Sequence, residues 1–268
     1  NARLSARSLR GYQVLAPLVS RALRTVTHVC AQSAADARRF IVLGARPEAV
    51  QTTGNLKYDV SVPGAAEAED FDRSFTGHAG PRMAWLAAST HPEEELPVLL
   101  AHGRLRRRWP DLLLLWAPRH PERFGPVIER LRSAGFRTAT RSGQTWPSRE
   151  DAAFAIDTLG EMQAFLGVAD VAFVGGSLQD IGGHNLLEPA AAGVPIVTGP
   201  HLHNFAEIAV QLRDADAMRV VDSGDALADT LDSLLADASA RARMGEAGRA
   251  LVESGRGALA RTREVIGL

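Results

Sequence analysis

The chain has 268 residues, 46% of them hydrophobic and 23% charged, with a formal net charge of −1. That is the composition of one large globular domain or two small ones, and the charge balance argues against a dedicated nucleic-acid binder, which carries a basic surplus. A single cysteine, Cys30, excludes an internal disulfide, and no apolar run reaches the roughly 18 residues that a membrane-crossing helix needs.

The chain opens on Asn1 rather than methionine, and is expected to be a segment of a longer protein. Residues 3–25 carry Leu4, Leu9, Tyr12, Leu15, Leu18, Val19 and Leu23 at three- and four-residue steps, which predicts one amphipathic helix. A short strand at 27–31 follows. Ser33 then offers an N-cap for a helix to about Leu43, which Gly44 ends, and 49–53 reads as another strand. Pro63, Gly64, Gly77, Gly80 and Pro81 interrupt this pattern, so 60–81 is expected to be a linker between lobes.

From Arg82 a second series begins. Strands are expected at 83–88, 112–117, 136–140, 152–156, 171–174, 195–198 and 218–221. Helices are expected from about Pro92 to the basic run Arg104–Arg108, then over 121–134, 161–166, 186–192, 204–212, 224–236 and 239–254, with one more closing the chain. Alternating strands and helices predict an α/β, Rossmann-like, doubly wound domain with its ligand at the carboxyl ends of the strands.

Chemistry concentrates in a few turns. Phe173 to Pro189 places a buried strand, the pairs Gly175-Gly176 and Gly182-Gly183, and a helix start in succession. Glycines after a strand allow close backbone approach, and free amides at a helix start suit a phosphate. Glu188, three residues past Asn185, is placed to accept hydrogen bonds from sugar hydroxyls. Residues 151–200 contain no Lys or Arg, so a bound anion there needs backbone amides and a cation from elsewhere. Arg119, in the Pro-flanked loop 117–123, is a candidate for that cation. Asp157 to Glu161 forms another strand-to-helix turn. Lys57, the single lysine, precedes the expected linker. His91 lies in an acidic helix start, Ser89 to Glu95. No P-loop, nucleophile elbow or paired Cys/His metal spacing occurs, so no metal and no cofactor is expected.

Together these segments resemble the bacterial 3-deoxy-D-manno-octulosonic acid (Kdo) transferases of lipopolysaccharide assembly. The matching stretches include NARLSARSL at 1–9, TGNLKYD at 53–59, ASTHPEEE at 88–95, PRHPERF at 118–124, LGEM at 159–162 and FVGGSLQDIGGHNLLEPAAAGVPIVTGPHLHNF at 173–205. The resemblance implies a GT-B glycosyltransferase with its active site between two Rossmann-like lobes. Residues 1–59 would be the C-terminal part of the N-terminal acceptor lobe, 60–81 the interlobe linker, and 82–268 the complete donor domain. It implies transfer of Kdo from CMP-Kdo to the lipid A precursor (lipid IVA), inverting and metal-independent, at the cytoplasmic face of the inner membrane. The membrane attachment would be peripheral or through a segment before Asn1.

By the same resemblance Pro118, Arg119, Leu159, Gly160, Glu161, Asn185, Leu186, Leu187 and Glu188 contact CMP. Lys57 stabilises the transition state, and the general-base glutamate lies before Asn1. The segment alone is then expected to bind CMP weakly and to transfer nothing. The alternatives are a GT-B transferase using another nucleotide sugar and a non-catalytic nucleotide-binding module.

Overall fold

The computed structural model describes residues 1–143 and 146–268 and divides into two compact units, residues 1–60 with 252–268, and residues 61–251. The first unit contains α1 (Ala6–Gln13), α2 (Ala16–Arg24), β1 (Val29–Ala31), α3 (Ala34–Val42) and β2 (Val50–Thr52). β1 and β2 pair in parallel. The single helix expected over 3–25 is two helices instead. Pro17 lies at the first turn of α2, where it starts a helix but cannot continue one, and Leu15 leaves helical geometry at φ −108°. Ser33 caps α3 as expected, its hydroxyl accepting from the Asp36 N–H. Gly44, at φ +102°, follows the helix.

The second unit runs α4 (Ala65–Ala79), β3 (Ala84–Thr90), α5 (Pro92–Leu105), β4 (Leu113–Pro118), α6 (Phe124–Ser133), β5 (Thr138–Thr140) and β6 (Ala153–Ala155). It continues with α7 (Met162–Leu166), β7 (Val171–Val174), α8 (Leu187–Ala192), β8 (Ile196–Thr198), α9 (Ala206–Asp214), β9 (Met218–Val220), α10 (Gly224–Ala236) and α11 (Ala238–Gly255). α11 ends, and α12 (Ala258–Ile266) lies, among the residues of the first unit. The chain's closing residues thus return to the first unit, where 82–268 was expected to form one domain. There the Asp59 carboxylate accepts from the N–H groups of Gly257 and Leu259.

The stretch expected as a linker over 60–81 contains the 15-residue α4. Pro63-Gly64 precede the helix and Gly80-Pro81 follow it, while Gly77 lies inside its last turn. Phe71, Phe75 and Ala79 recur at four-residue steps, and Phe71 meets Trp146 and Phe165 edge-on at 5.0 Å. A helix with that stripe has somewhere to bury it, and propensity yields to packing. The basic run at the end of α5 stays half-exposed and makes surface ion pairs. Arg104 pairs with Asp225 and Asp229, and Arg108 with Asp232, all on α10.

The seven strands of this unit form one parallel sheet in the order β5-β6-β4-β3-β7-β8-β9. Central strands read as near-continuous apolar runs because helices cover both faces. Trp85 and Ala87 join Leu114, Trp116 and Phe173 on the face packed by α5, α6 and α10. Ala84, Leu86 and Ala88 join Leu115, Phe154 and Ala172 on the face packed by α4 and α7. From β3 the chain goes to β4 on one side, and after β6 it crosses back to β7 on the other side of β3. That reversal is the switch point beside which doubly wound sheets bind ligands. Among the described residues, no helix is long and apolar enough to cross a membrane.

Candidate functional site

A cavity of about 410 Å³ opens at this switch point, lined by Ser89 at the end of β3, Arg119 after β4 and Met162 of α7, with His184, Asn185 and Glu188 at the start of α8. Ala88, Leu166, Val174, Pro189 and Phe205 complete an otherwise apolar wall. Three of the residues singled out in the sequence, Arg119, Asn185 and Glu188, therefore meet in one place. Asn185 has two tasks. Its Oδ1 accepts from the Leu187 N–H at 3.1 Å, and its Nδ2 donates to Glu188 Oε1 at 2.9 Å. Asn185 thereby fixes the Glu188 carboxylate at the cavity and leaves it lone pairs for a hydroxyl.

The other expected residues take different places. Pro118 is buried as the last residue of β4, beside Thr90. Leu186 and Leu187 are fully buried, so their side chains belong to the core, and the Leu187 amide is already held by Asn185. Leu159 is 75% exposed and Gly160 turns at φ +86°; neither lines the cavity, and nor does Glu161. The Glu161 carboxylate is forked by Arg141 and also accepts from the Thr158 hydroxyl, and the Arg141 hydrogen bond holds its pKa below the usual range. Arg141 in turn stacks on Trp146, 4.5 Å from the ring centre. Lys57 lies in the first unit, in a 3₁₀ turn whose Asn55 side chain accepts from the Lys57 N–H.

The glycine loop differs from expectation at its first pair. Gly176, Ser177 and Leu178 do point their amides inward, but toward a carboxylate of the same chain. Glu94, fully buried in the first turn of α5, accepts from the Gly176 N–H at 2.7 Å and from those of Ser177 and Leu178 at 3.0 Å. It also accepts from the His91 N–H at 3.0 Å. A Cβ on Gly175 would fall 2.6 Å from Glu94 Oε2, so the glycine admits the carboxylate rather than an exogenous anion. The second pair is partly spent as well, since the Gly183 N–H donates to the Gly176 carbonyl at 2.7 Å. α8 has only six residues. The cavity stays open, but side chains, not a ring of free amides, carry most of its polarity.

Sequence reasoning missed Ser89, Met162, His184 and Phe205 as cavity residues. Ser89 sits at φ +54° where the β3–β4 register shifts, a bulge that re-aims its side chain. Nothing in Ala88-Ser89-Thr90 announces that, because the strain is set by the strands on either side. His184 had a sequence signal, its place between Gly183 and Asn185. Its Nε2 lies 2.8 Å from His91 Nε2, and the His120 ring stands edge-on to His91 at 5.3 Å.

Residues 1–60 match the family described as 3-Deoxy-D-manno-octulosonic-acid transferase (kdotransferase), and residues 154–251 match Glycosyl transferases group 1. A 3-deoxy-D-manno-octulosonic acid transferase of Haemophilus influenzae is 37% identical over 99% of this chain, which spans 62% of that protein. The C-terminal CMP-Kdo binding domain of WaaA from Acinetobacter baumannii superposes with a TM-score of 0.66 at 28% identity, covering 70% of this chain and 97% of that domain. Anabaena Alr3699/HepE, solved in complex with UDP and glucose, covers 98% of this chain and is covered over 67% of its own at 16% identity, with a TM-score of 0.55; that likeness is one of fold. The fold is the α/β architecture of GT-B glycosyltransferase domains. Over the 62% of a relative's length that it spans, the chain belongs with the Kdo transferases.

Proposed function

We propose that this chain holds the donor side of a transferase that moves Kdo from CMP-Kdo onto a lipid A precursor at the cytoplasmic face of the inner membrane, with inversion and without a metal. The observation that carries the reading is the convergence of Arg119, Asn185 and Glu188 on one cavity at the sheet's switch point. The Acinetobacter domain with the same fold is described as binding CMP-Kdo. Glu188, steadied by Asn185, accepts hydrogen bonds from the ribose hydroxyls. Arg119 faces the phosphoryl group as a planar fork of donors. Lys57 offsets negative charge as CMP leaves. Leu159, Gly160 and Glu161 support the base, and Pro118 sets the course of the chain into Arg119. The general base is a glutamate outside this chain, a step worth typically ~10²–10⁴-fold.

The test is calorimetry of the 268-residue chain with CMP. Wild type binds weakly and transfers no sugar, and Glu188→Ala lowers the affinity about tenfold or more, as expected for hydrogen bonds to a charged group. Equal affinity in the two proteins removes Glu188 from the site and overturns the reading.

A further inference from the structure

With Glu94 filling the backbone nest, the amides of Gly176, Ser177 and Leu178 are not available to an incoming anion. Residues 151–200 offer no Lys or Arg. An anion entering the cavity still needs charge and donors around it. The cationic and imidazole side chains there are Arg119 and His184 at the cavity, with His91 against His184 and His120 against His91. His184 lines the cavity beside Arg119, and its ring lies so close to Gly176 that a Cβ there would come within 2.7 Å of it. The His184 and His91 rings are coplanar to within 2°, with their Nε2 atoms 2.8 Å apart.

Such a pair shares one proton: one Nε2 donates and the other accepts. A proton on the accepting Nε2 would set two N–H groups against each other, and burial disfavours the charged form of His184 without ligand. We propose that the His91–His184 pair is a phosphoryl-binding element of this cavity, and that it takes up one proton as the phosphoryl group docks against His184 and Arg119. The inference rests on the reading of the cavity as a nucleotide site. The charged and titratable groups acting on His184 are its partner His91 and Glu94 from the β3–α5 turn, and Arg119 and His120 from the loop after β4; Asn185 and Glu188 line the same cavity. Burial first, then His91 and Arg119, and to a lesser extent His120, hold the His184 pKa down to about 4, against the opposing effect of Glu94. The Glu94 oxygens are already taken up by four backbone amides. A bound phosphoryl oxyanion reverses the balance: it offsets Arg119 and gives the second N–H an acceptor. The proton comes from solvent, and no covalent bond forms or breaks.

The probe is the methyl ester of CMP, a phosphodiester with no ionisation of its own near neutrality. Calorimetry of the 268-residue chain at pH 6, in two buffers of different ionisation enthalpy, counts the protons taken up. Wild type takes up about half to one proton per ligand, and its affinity tightens about tenfold from pH 7.5 to 5.5, the amount that linkage to one proton gives over roughly one pH unit of that range. His184→Gln and His91→Gln, each confirmed folded by its thermal transition, lose the uptake and bind within about twofold across that range. Either folded variant suffices. Binding without uptake, or uptake that persists in a folded variant, overturns the inference and leaves the nucleotide site standing. Wild type that binds neither CMP nor its methyl ester overturns both.

Discussion

The turns that open α5 and α8 look alike in sequence and do opposite things. Each follows a strand's carboxyl end at the switch point, and each carries a glutamate in its first helical turn, Glu94 and Glu188. Glu94 is fully buried with backbone N–H groups on its oxygens, and it locks the β7 loop to the β3 turn. Glu188 has Asn185 as a partner and faces the cavity. A carboxylate whose lone pairs are filled by the backbone is a structural anion; one with lone pairs left over at a cavity is a ligand contact. Both are glutamates in a first helical turn. Saturation makes the difference.

The largest expected effect tests the Glu94 half of that contrast. Glu94→Gln sets an amide group among the N–H groups of Gly176, Ser177 and Leu178 and leaves buried donors unpaired, so stability falls by about 3–5 kcal/mol in urea unfolding. A loss below about 1 kcal/mol would mean that those amides have other partners. Gly176→Ala sharpens the same junction. The residue sits at φ +67° and its Cβ would press on the His184 ring, so a destabilisation of about 2–3 kcal/mol is expected. The loss should be accompanied by weaker CMP binding, since the ring moves with it; unchanged affinity would separate His184 from the ligand.

The smallest effect compares two histidines with lowered pKa values. His102 is buried between the Trp85 Nε1–H, which donates to its Nδ1 at 3.2 Å, and the Ala152 carbonyl, which accepts from its Nε2 at 2.9 Å. Burial holds its pKa down to about 3. The unfolded chain takes up a proton near pH 6.5 while the folded chain does not, so stability is full above that pH and falls as pH drops through the range from about 6.5 to about 3. Between pH 7 and 5.5 His102 contributes a loss of about 1 kcal/mol, and His184, with its pKa near 4, contributes one of the same sign. Chemical denaturation at the two pH values, with and without saturating CMP methyl ester, distinguishes them. Ligand should shrink the His184 share and leave the His102 share untouched; an unchanged total would place both rings away from ligand.

Much of the donor fold was legible. Runs such as Leu112 to Ala117 and Val171 to Val174 leave no polar residue to face water, and a strand buried on both faces follows from that alone. The cap at Ser33 and the acidic helix start from Ser89 to Glu95 marked their helices. α4 was hidden because its flanking Pro and Gly read as a linker, while the partners of its aromatic stripe, Trp146 and Phe165, lie far along the chain. At the site, the Asn185–Glu188 spacing and the proline-flanked Arg119 stood out, and they converge. The fate of the glycine amides did not stand out, because Glu94 lies more than eighty residues away from them in sequence.

Periodicity, capping and turn chemistry are local, so the sequence by itself determined the apolar strands of the sheet and most of the helices between them, and its motifs carried the resemblance to Kdo transferases. Which side chains saturate one another is a matter of three-dimensional neighbours. Only the tertiary structure decided that Glu94 fills the nest of amides after β7, that Leu186 and Leu187 belong to the core, and that the Nε2 atoms of His91 and His184 meet at hydrogen-bond distance beside the cavity. Hydrogen bonds and burial are settled where strands of distant sequence come side by side, and the free energy of a buried polar group depends on the partner it finds there.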